Sequence, residues 1–377
     1  MKKENKKVLV GMSGGVDSSV AALLLQKEGY EVEGIFIDFI GGEKSERDFQ
    51  QAQKIAKKLD ISIYKLDAQK IFKKKIIDKF VEDYENGITP NPCVFCNPEM
   101  KFKILIEEAD KRGIEKVATG HYARLGREFP MTNNQFPNKS QIQNSKLETE
   151  ESHRSSVIGH HFFVARDKDK DQSYFLYRLN QAQLGRIIFP LGEYLKSEVR
   201  EIANKNGFNI KNEEESQDVC FIADNDFNKF IAKKIADKPG KIVNKSGEIL
   251  GEHKGLHFYT IGQRKGINLG GDGPYFVIKK DGKKNQLIVS NNPEDLNCPD
   301  ASFVVKKTNW ILSDLKFPLE AKVKVRYRSL EEYAIITKKR RGIYAVKLKE
   351  NQKAVTSGQS AVFYSAEGSV WGGGIII

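Results

Sequence analysis

Apolar and polar positions follow two different rhythms along this chain, and the change falls near residue 240. In the first part, short apolar runs alternate with stretches of helical period. KKVLVGM (6–12), YEVEGIFIDF (30–39), ISIYKLDA (61–68) and EKVATGHYA (115–123) read as buried strands. Between them the spacing predicts helices from about Ser18 to Lys27, from Ser45 as a cap to about Leu59, from about Gln69 to Tyr84, and from about Pro98 to Arg112. Gly29 and Gly113 stand where the first and last of these should stop. Such alternation predicts an α/β fold with a doubly wound, Rossmann-like parallel sheet, and ligands beyond the carboxyl ends of its strands.

Residues 126–160 break the pattern: Asn, Gln, Ser and charges dominate, with no apolar period, which predicts a surface insertion. His153, His160 and His161, in and beside it, are expected to be exposed loop residues rather than metal ligands. From about Asn180 to Asp237 the pattern is helical again. After Pro239-Gly240 it becomes short alternating runs punctuated by glycine, and a second such set starts near Ala301. Two smaller β-rich domains are therefore expected, the last a β-barrel. The chain divides on this reading into residues 1–222, 223–298 and 299–377.

Size and charge narrow the picture. A chain of 377 residues with 39% hydrophobic content builds more than one core. It contains no run of the roughly 18–20 apolar residues that a membrane span needs. The start, MKKENKKVLVGM, lacks the apolar core of a signal peptide, so a cytoplasmic protein is expected. The net charge of +12 points to a polyanionic partner, foremost a nucleic acid. Four cysteines over this length are too few for a disulfide framework, and in a reducing compartment they are buried, metal-bound or catalytic.

Three stretches carry chemistry. VGMSGGVDSS (10–19) joins the first strand to the first helix. Its glycines free backbone N–H groups to face an anion, Ser13, Ser18 and Ser19 add donors, and Asp17 stands where it can help hold Mg²⁺. It lacks the Gly-Lys-Ser/Thr of a Walker loop and the spacing of a dinucleotide fingerprint. Cys93-x-x-Cys96 suits a metal clip, a redox pair or sulfur chemistry equally well by spacing alone. In AKVKVRYRS (321–329), strand periodicity sets Lys322, Lys324, Arg326 and Arg328 on one face, with Val323, Val325 and Tyr327 on the other. Cations spaced roughly 7 Å apart can track phosphates.

The loop resembles the SGGxDS pyrophosphate loop of the ATP-pyrophosphatase superfamily, which adenylates a substrate oxygen. TPNPCVFCNPEMKF, TGHYAR, DKDQSYFL, DVCFI, TIGQRKG, VRYRS and GQSAVFY follow in order. Together they resemble the tRNA-specific 2-thiouridylases of the MnmA type, from about Val8 to Ile375. The resemblance implies an ATP site formed by Gly11, Met12, Ser13, Gly14, Gly15, Val16, Asp17 and Ser18, with Ile37 and Gly120, using ATP and Mg²⁺. It implies that Asn91, Pro92 and Cys93 lie against the target base. It makes Cys96 the nucleophile and Cys220 the persulfide carrier, with a transient Cys96–Cys220 disulfide and no resident metal. Lys170, Asp171, Gln172, Arg326 and Tyr327 would contact tRNA, and a cysteine desulfurase or sulfur-relay protein would supply the sulfur. The implied reaction is ATP-dependent 2-thiolation of uridine 34 in tRNAs for Lys, Glu and Gln. Cys93 departs from the Asp that some members carry there, which puts that residue's acid–base duty in question.

Two other readings compete. An amide synthetase sharing only the phosphate loop would tolerate serine at Cys96 or Cys220. A noncatalytic RNA-binding protein would use the cysteines for zinc, and an iron–sulfur cluster on Cys93, Cys96 and Cys220 is a further metal alternative.

Overall fold

The computed structural model describes residues 6–126, 159–208, 219–222, 226–270, 274–350 and 353–377. Most of the expected 126–160 insertion, His153 included, lies outside the described residues.

The first part is a five-stranded parallel sheet. β1 (Lys7–Gly11), α1 (Val16–Lys27), β2 (Glu31–Asp38), α2 (Gly42–Leu59) and β3 (Ile63–Asp67) wind outward on one side. The helical run that follows is α3 (Gln69–Phe72), a π turn (Lys73–Ile77) and α4 (Asp78–Glu85). A second run carries the cysteine pair: α5 (Cys93–Cys96), a π turn (Asn97–Lys101) and α6 (Phe102–Lys111). The chain then re-enters the sheet on the other side of β1 as β4 (Lys116–Ala118), and with β7 (Ile187–Ile188) at the edge the order is β3-β2-β1-β4-β7.

Val8, Leu9 and Val10 are wholly buried because helices or other layers cover both sheet faces. Side chains alternate across a strand. Val8 and Val10 accordingly join α1 and the later helix α8 (Lys196–Lys205) in one core, while Leu9 joins α6 and parts of the C-terminal barrel in another.

Several local expectations are corrected. α2 starts at Gly42 after Gly41, so Ser45 is no cap; inside the helix it donates a 2.7 Å hydrogen bond to Asp38 Oδ1. The fourth strand has three residues rather than nine, which leaves Thr119 to Tyr122 as loop. β5 (Arg124–Gly126) and β6 (His161–Phe163) pair across the insertion. His161 is therefore a buried strand residue, not an exposed loop residue.

The expected helical stretch 180–237 contains α7 (Gln181–Leu184), the sheet's fifth strand β7 (Ile187–Ile188), α8 (Lys196–Lys205) and α9 (Phe227–Ala232). β7 was hidden because two residues are too few to show a period.

β8 (Gly240–Val243), β9 (Ile249–His253), β10 (Phe276–Asp281) and β11 (Gln286–Ser290) form a four-stranded sheet, while Leu256–Phe258 is a 3₁₀ turn. β12 (Ser302–Trp310), β13 (Leu319–Lys324), β14 (Glu332–Arg340), β15 (Ile343–Leu348), β16 (Ser360–Tyr364) and β17 (Val370–Ile376) close into a barrel. Among the described residues no helix is long and apolar enough to cross a membrane.

Candidate active site

The strand order reverses between β1 and β4, and the loops after these two strands meet there, in the crevice where doubly wound sheets hold ligands. Gly14 has φ 82°, and a Cβ on it would lie 2.3 Å from the Asp48 carbonyl oxygen, so conformation and close approach both demand glycine. Gly15 caps α1 without any side-chain hydrogen bond. The first N–H groups of the helix thus lack a side-chain acceptor and, with the positive helix end, form an anion seat.

Ser18 Oγ accepts from Ser13 N–H at 3.1 Å and donates to the Gly15 carbonyl at 3.1 Å, holding the loop closed. Met12 N–H donates to the Ile35 carbonyl at 2.8 Å. Across the crevice, Gly120 presses on the same turn: a Cβ there would sit 2.6 Å from Ser18 N. Gly11 ends β1, Val16 starts α1, and Ile37 is half-buried in β2 against the sheet's core.

Asp17 is not a free metal ligand. Lys196 Nζ lies 2.7 Å from both of its carboxylate oxygens, and Tyr122 OH donates to Oδ1 at 2.8 Å. Lys196, at the start of α8, is nearly buried. Nothing in its sequence surroundings distinguishes it from the other lysines. Gln172 completes the clasp, its Oε1 accepting from Tyr122 N–H at 3.0 Å. Among the described residues no group of three or more His, Cys, Asp or Glu is arranged to hold a metal ion. With Asp17 paired to Lys196 and Tyr122, the residues here fit magnesium carried on phosphate oxygens.

The cysteine run lies beside this crevice. Thr89, two residues before Asn91, is held to the barrel: its N–H donates to the Ser357 carbonyl at 3.2 Å, and its carbonyl accepts from Gln359 Nε2 at 2.9 Å. The distant motifs TPNPC and GQSAVFY therefore meet in space. Asn91 Oδ1 accepts from Cys93 N–H at 3.2 Å, and Pro92 precedes the turn Cys93–Cys96. Asn97 is buried and donates to the Phe175 carbonyl at 3.1 Å, fixing the run's far side.

Cys220 arrives from far along the chain because Phe221 is an anchor. Its ring packs edge-on against Phe72 at 5.9 Å and Phe80 at 5.2 Å, and Phe221, Ile222, Cys96 and Met100 share one apolar cluster. Burying one such phenylalanine stabilises by about 1.5–3 kcal/mol. Cys96 is buried, Cys93 half-buried and Cys220 exposed on one side of its turn, all three as free thiols.

Desolvation pushes the Cys96 thiol up to about 12, with Lys101 pulling it down and Cys220 and Cys93 adding to the rise. Desolvation likewise raises Cys93 to about 11, reinforced by Cys220 and opposed by Lys101. Cys220 is raised by desolvation and lowered by Lys101. Lys101 is thus the cation common to all three thiols.

Lys101 also reaches the nucleotide side. His121, next to Gly120, is half-buried, accepts or donates at 2.8 Å with Thr119 Oγ1, and lies 5.6 Å from the Phe102 ring. Burial holds its pKa well below the usual imidazole value, with Lys101 adding to the depression. It is a neutral imidazole at physiological pH. Neither Lys101 nor His121 carries a sequence signal beyond its place inside a motif.

The expected tRNA contacts are dispersed. Asp171 is buried, accepting from Ala165 N–H at 2.8 Å and from Ser173 Oγ at 2.6 Å, and Gln172 is tied to Tyr122. Lys170 keeps a half-exposed position at the same turn. β13 ends at Lys324, so the strand alternation expected through residue 329 stops early. Val323 and Val325 do point inward, but Arg326 lies in a turn and donates to the Ile261 carbonyl at 2.7 Å and to Thr356 Oγ1. Tyr327 packs on the Phe175 ring at 4.5 Å. Arg326 is therefore turned into the protein. Arg328, two residues on, is exposed, and Lys338, Lys339, Arg340 and Arg341 form a run of exposed cations elsewhere on the barrel. Cys298 is buried in the barrel core, its Sγ 3.3 Å from the Ser302 carbonyl.

A parallel sheet with this phosphate-seating loop at its switch point, next to a cluster of thiols, defines a nucleotide-activating enzyme of the ATP-pyrophosphatase class. Family profiles match residues 6–224 as "tRNA methyl transferase HUP domain", 228–291 as "tRNA methyl transferase PRC-barrel domain" and 300–376 as "Aminomethyltransferase beta-barrel domain". The tRNA-specific 2-thiouridylase MnmA 2 of Clostridium tetani is 41% identical over 384 aligned positions, covering 98% of each chain. The tRNA-specific 2-thiouridylase MnmA of Halothermothrix orenii is 39% identical over 384 positions, again covering 98% of each. The chain belongs to the MnmA family of tRNA-specific 2-thiouridylases. Among solved structures, the U34-tRNA thiolase NcsA of Methanococcus maripaludis with its 4Fe-4S cluster covers 58% of this chain and 63% of its own. Its 19% identity and TM-score of 0.35 are too low to bear on the site.

Proposed function

We propose that this tRNA sulfurtransferase replaces O2 of wobble uridine 34 by sulfur in tRNAs for Lys, Glu and Gln, releasing AMP and pyrophosphate. The observation that carries the proposal is the meeting of Cys93, Cys96 and Cys220 around Lys101, which also acts on His121, the neighbour of Gly120. In this reading residues 1–222 are the catalytic unit, 223–298 the central unit and 299–377 the barrel that contacts tRNA, all working in the cytoplasm.

ATP, with Mg²⁺ on its phosphates, turns the uridine oxygen into a good leaving group. The backbone from Gly11 to Ser18, walled by Gly120, holds the phosphates in place, and Ile37 lies along the nucleotide. Lys196 keeps Asp17 neutralised, so the loop presents no bare negative charge to them.

Asn91, Pro92 and Cys93 lie against the base. A cavity of about 470 Å³ beside Val219 and Ile222, lined by Phe80, Tyr84, Phe227 and Phe258, offers aromatic faces to bases splayed from the anticodon loop. Cys220, exposed, receives a persulfide from a cysteine desulfurase or relay protein. Its outer sulfur attacks C2 and expels AMP. The Cys96 thiolate then attacks Cys220 Sγ, which releases the thiocarbonyl on the base and leaves a Cys96–Cys220 disulfide. Lys101 lowers the cost of the charged sulfur in a setting that otherwise favours the neutral thiol. Lys170 and the barrel's outer cations position the tRNA through phosphates.

The test uses unmodified glutamate tRNA, Mg-ATP and protein carrying persulfide on Cys220, with thiouridine and AMP counted in the same tubes. Thiouridine matched by AMP, and loss of thiouridine in Cys96→Ser, support the proposal. AMP and thiouridine both absent, from folded protein that binds the tRNA, would overturn it.

A further inference from the structure

We infer that Cys93 is a third sulfur in the cycle, which takes the disulfide over from Cys220: its thiol attacks Cys96 Sγ of the Cys96–Cys220 disulfide, forming Cys93–Cys96 and freeing Cys220. This rests on the proposed function, because that reaction leaves the Cys96–Cys220 disulfide behind.

Three observations lead to it. Cys93 and Cys96 open and close a single helical turn, Cys93–Cys96. Residues three apart on a helix face hold their Cβ atoms about 5–6 Å apart, and a disulfide needs about 3.8 Å, so a slight tightening of one turn closes the bond. Electrostatic interactions link Cys96 to both Cys93 and Cys220, and Cys93 to Cys220, which puts the three sulfurs in one neighbourhood rather than in separate pairs.

Exposure then gives the transfer a purpose. Cys96 is only 7% exposed, Cys93 is intermediate and Cys220 is exposed. A disulfide that holds Cys220 blocks the one thiol open to an incoming persulfide donor. Moving the bond to Cys93 clears that thiol. Lys101, within electrostatic reach of all three, stabilises whichever sulfur carries charge as the bond moves.

The step balances. Cys93 loses its proton as its sulfur bonds to Cys96, the Cys96–Cys220 bond breaks, and Cys220 takes up a proton. The exchange itself has no net oxidation. The resulting Cys93–Cys96 disulfide is returned to two thiols by two electrons and two protons from a dithiol reductant. Cys93 thereby has a duty of its own, which a residue without a thiol cannot perform.

The experiment follows disulfides directly. Full-length protein carrying persulfide on Cys220 is given tRNA and Mg-ATP without reductant, quenched with acid, alkylated and mapped by mass spectrometry, while thiouridine is counted in parallel. The expected result is a Cys93–Cys96 disulfide with Cys220 free; Cys96–Cys220 with Cys93 free would overturn the inference. In Cys93→Ser, and in Cys93→Ala as a second variant, the bond is expected to stay on Cys220, with loss of a second sulfur loading until dithiol is added.

A glutathione redox titration of the wild-type protein without tRNA separates the two levels of the account. Cys93–Cys96 is expected to be the disulfide that forms. Should thiouridine never appear, the proposed function fails. The titration still decides the exchange, and a dominant Cys96–Cys220 bond there overturns it.

Discussion

Replacing Lys196 by Met tests whether Asp17 is a neutralised part of the phosphate loop. The change removes an ammonium 2.7 Å from both carboxylate oxygens and keeps an apolar stem of similar length. Breaking a fully buried pair costs about 3–5 kcal/mol, and an exposed pair is worth about 0–1 kcal/mol. The Lys196 side chain is 8% exposed and that of Asp17 32%, and Tyr122 OH still donates to the carboxylate. Water can therefore reach part of the stranded charge, and a cost of about 1–3 kcal/mol follows from lying between those limits.

Trp310 and Trp371 both belong to the barrel strands, so tryptophan fluorescence reports on the wrong part of the molecule. Hydrogen exchange measured by mass spectrometry resolves the right one. Protection in α1 and α8 is expected to fall about 5- to 150-fold, at 1.4 kcal/mol per decade, with barrel peptides unchanged. The affinity for ATP should fall as well, because a bare carboxylate now faces the phosphates. Asp17→Asn in the Lys196→Met background should recover part of both losses. The reasoning is refuted if Lys196→Met and the double variant lose protection equally, since the stranded charge would then account for none of the cost.

Other expectations follow from single contacts. Gly14→Ala places a Cβ in left-handed backbone, at about 1–2 kcal/mol, and against the Asp48 carbonyl, at about 1–3 kcal/mol more; urea unfolding within about 0.5 kcal/mol of wild type would contradict this. Burial pushes the Cys96 thiol up to about 12, and only the thiolate reacts, so in Cys93→Ser/Cys220→Ser protein its alkylation rate should climb about tenfold per pH unit from about pH 7 to 10. A plateau near pH 8 would show a thiolate already formed. Arg326→Met should weaken the barrel's docking to the central sheet without changing the salt dependence of tRNA binding, since its Nη2 donates inward to Ile261 and Thr356. Lys170→Ala should instead reduce the salt slope by about one, and the opposite pattern in filter binding would exchange their roles.

The fold was legible where periodicity is long. Strands around Val8 and Val32, helices around Leu24 and Ile55, and the barrel strands β12 to β16 all leave a pattern of several residues. The phosphate loop was legible because its conformation demands glycines at particular places, Gly14 and Gly120 among them. The thiols were legible only as residue types. Their meeting depends on Phe221 finding Phe72 and Phe80, a contact over more than a hundred residues that no local pattern encodes. Lys196 and Lys101 were invisible for a related reason: a lysine becomes special through what it faces after folding. The alternation through residue 329 misled because it continues in sequence beyond Lys324, where the strand ends and the Arg326 side chain donates inward.

The central claim is that this chain exchanges sulfur for oxygen on one particular base at the expense of ATP. Its most direct test compares two transcripts of glutamate tRNA, one with uridine and one with cytidine at position 34, under Mg-ATP with protein carrying persulfide on Cys220. The modified nucleoside is mapped by mass spectrometry of nuclease fragments. The account predicts 2-thiouridine at position 34 of the first transcript, AMP in equal amount, and neither product without ATP. Thiouridine at another position, or formed equally well without ATP, would contradict it.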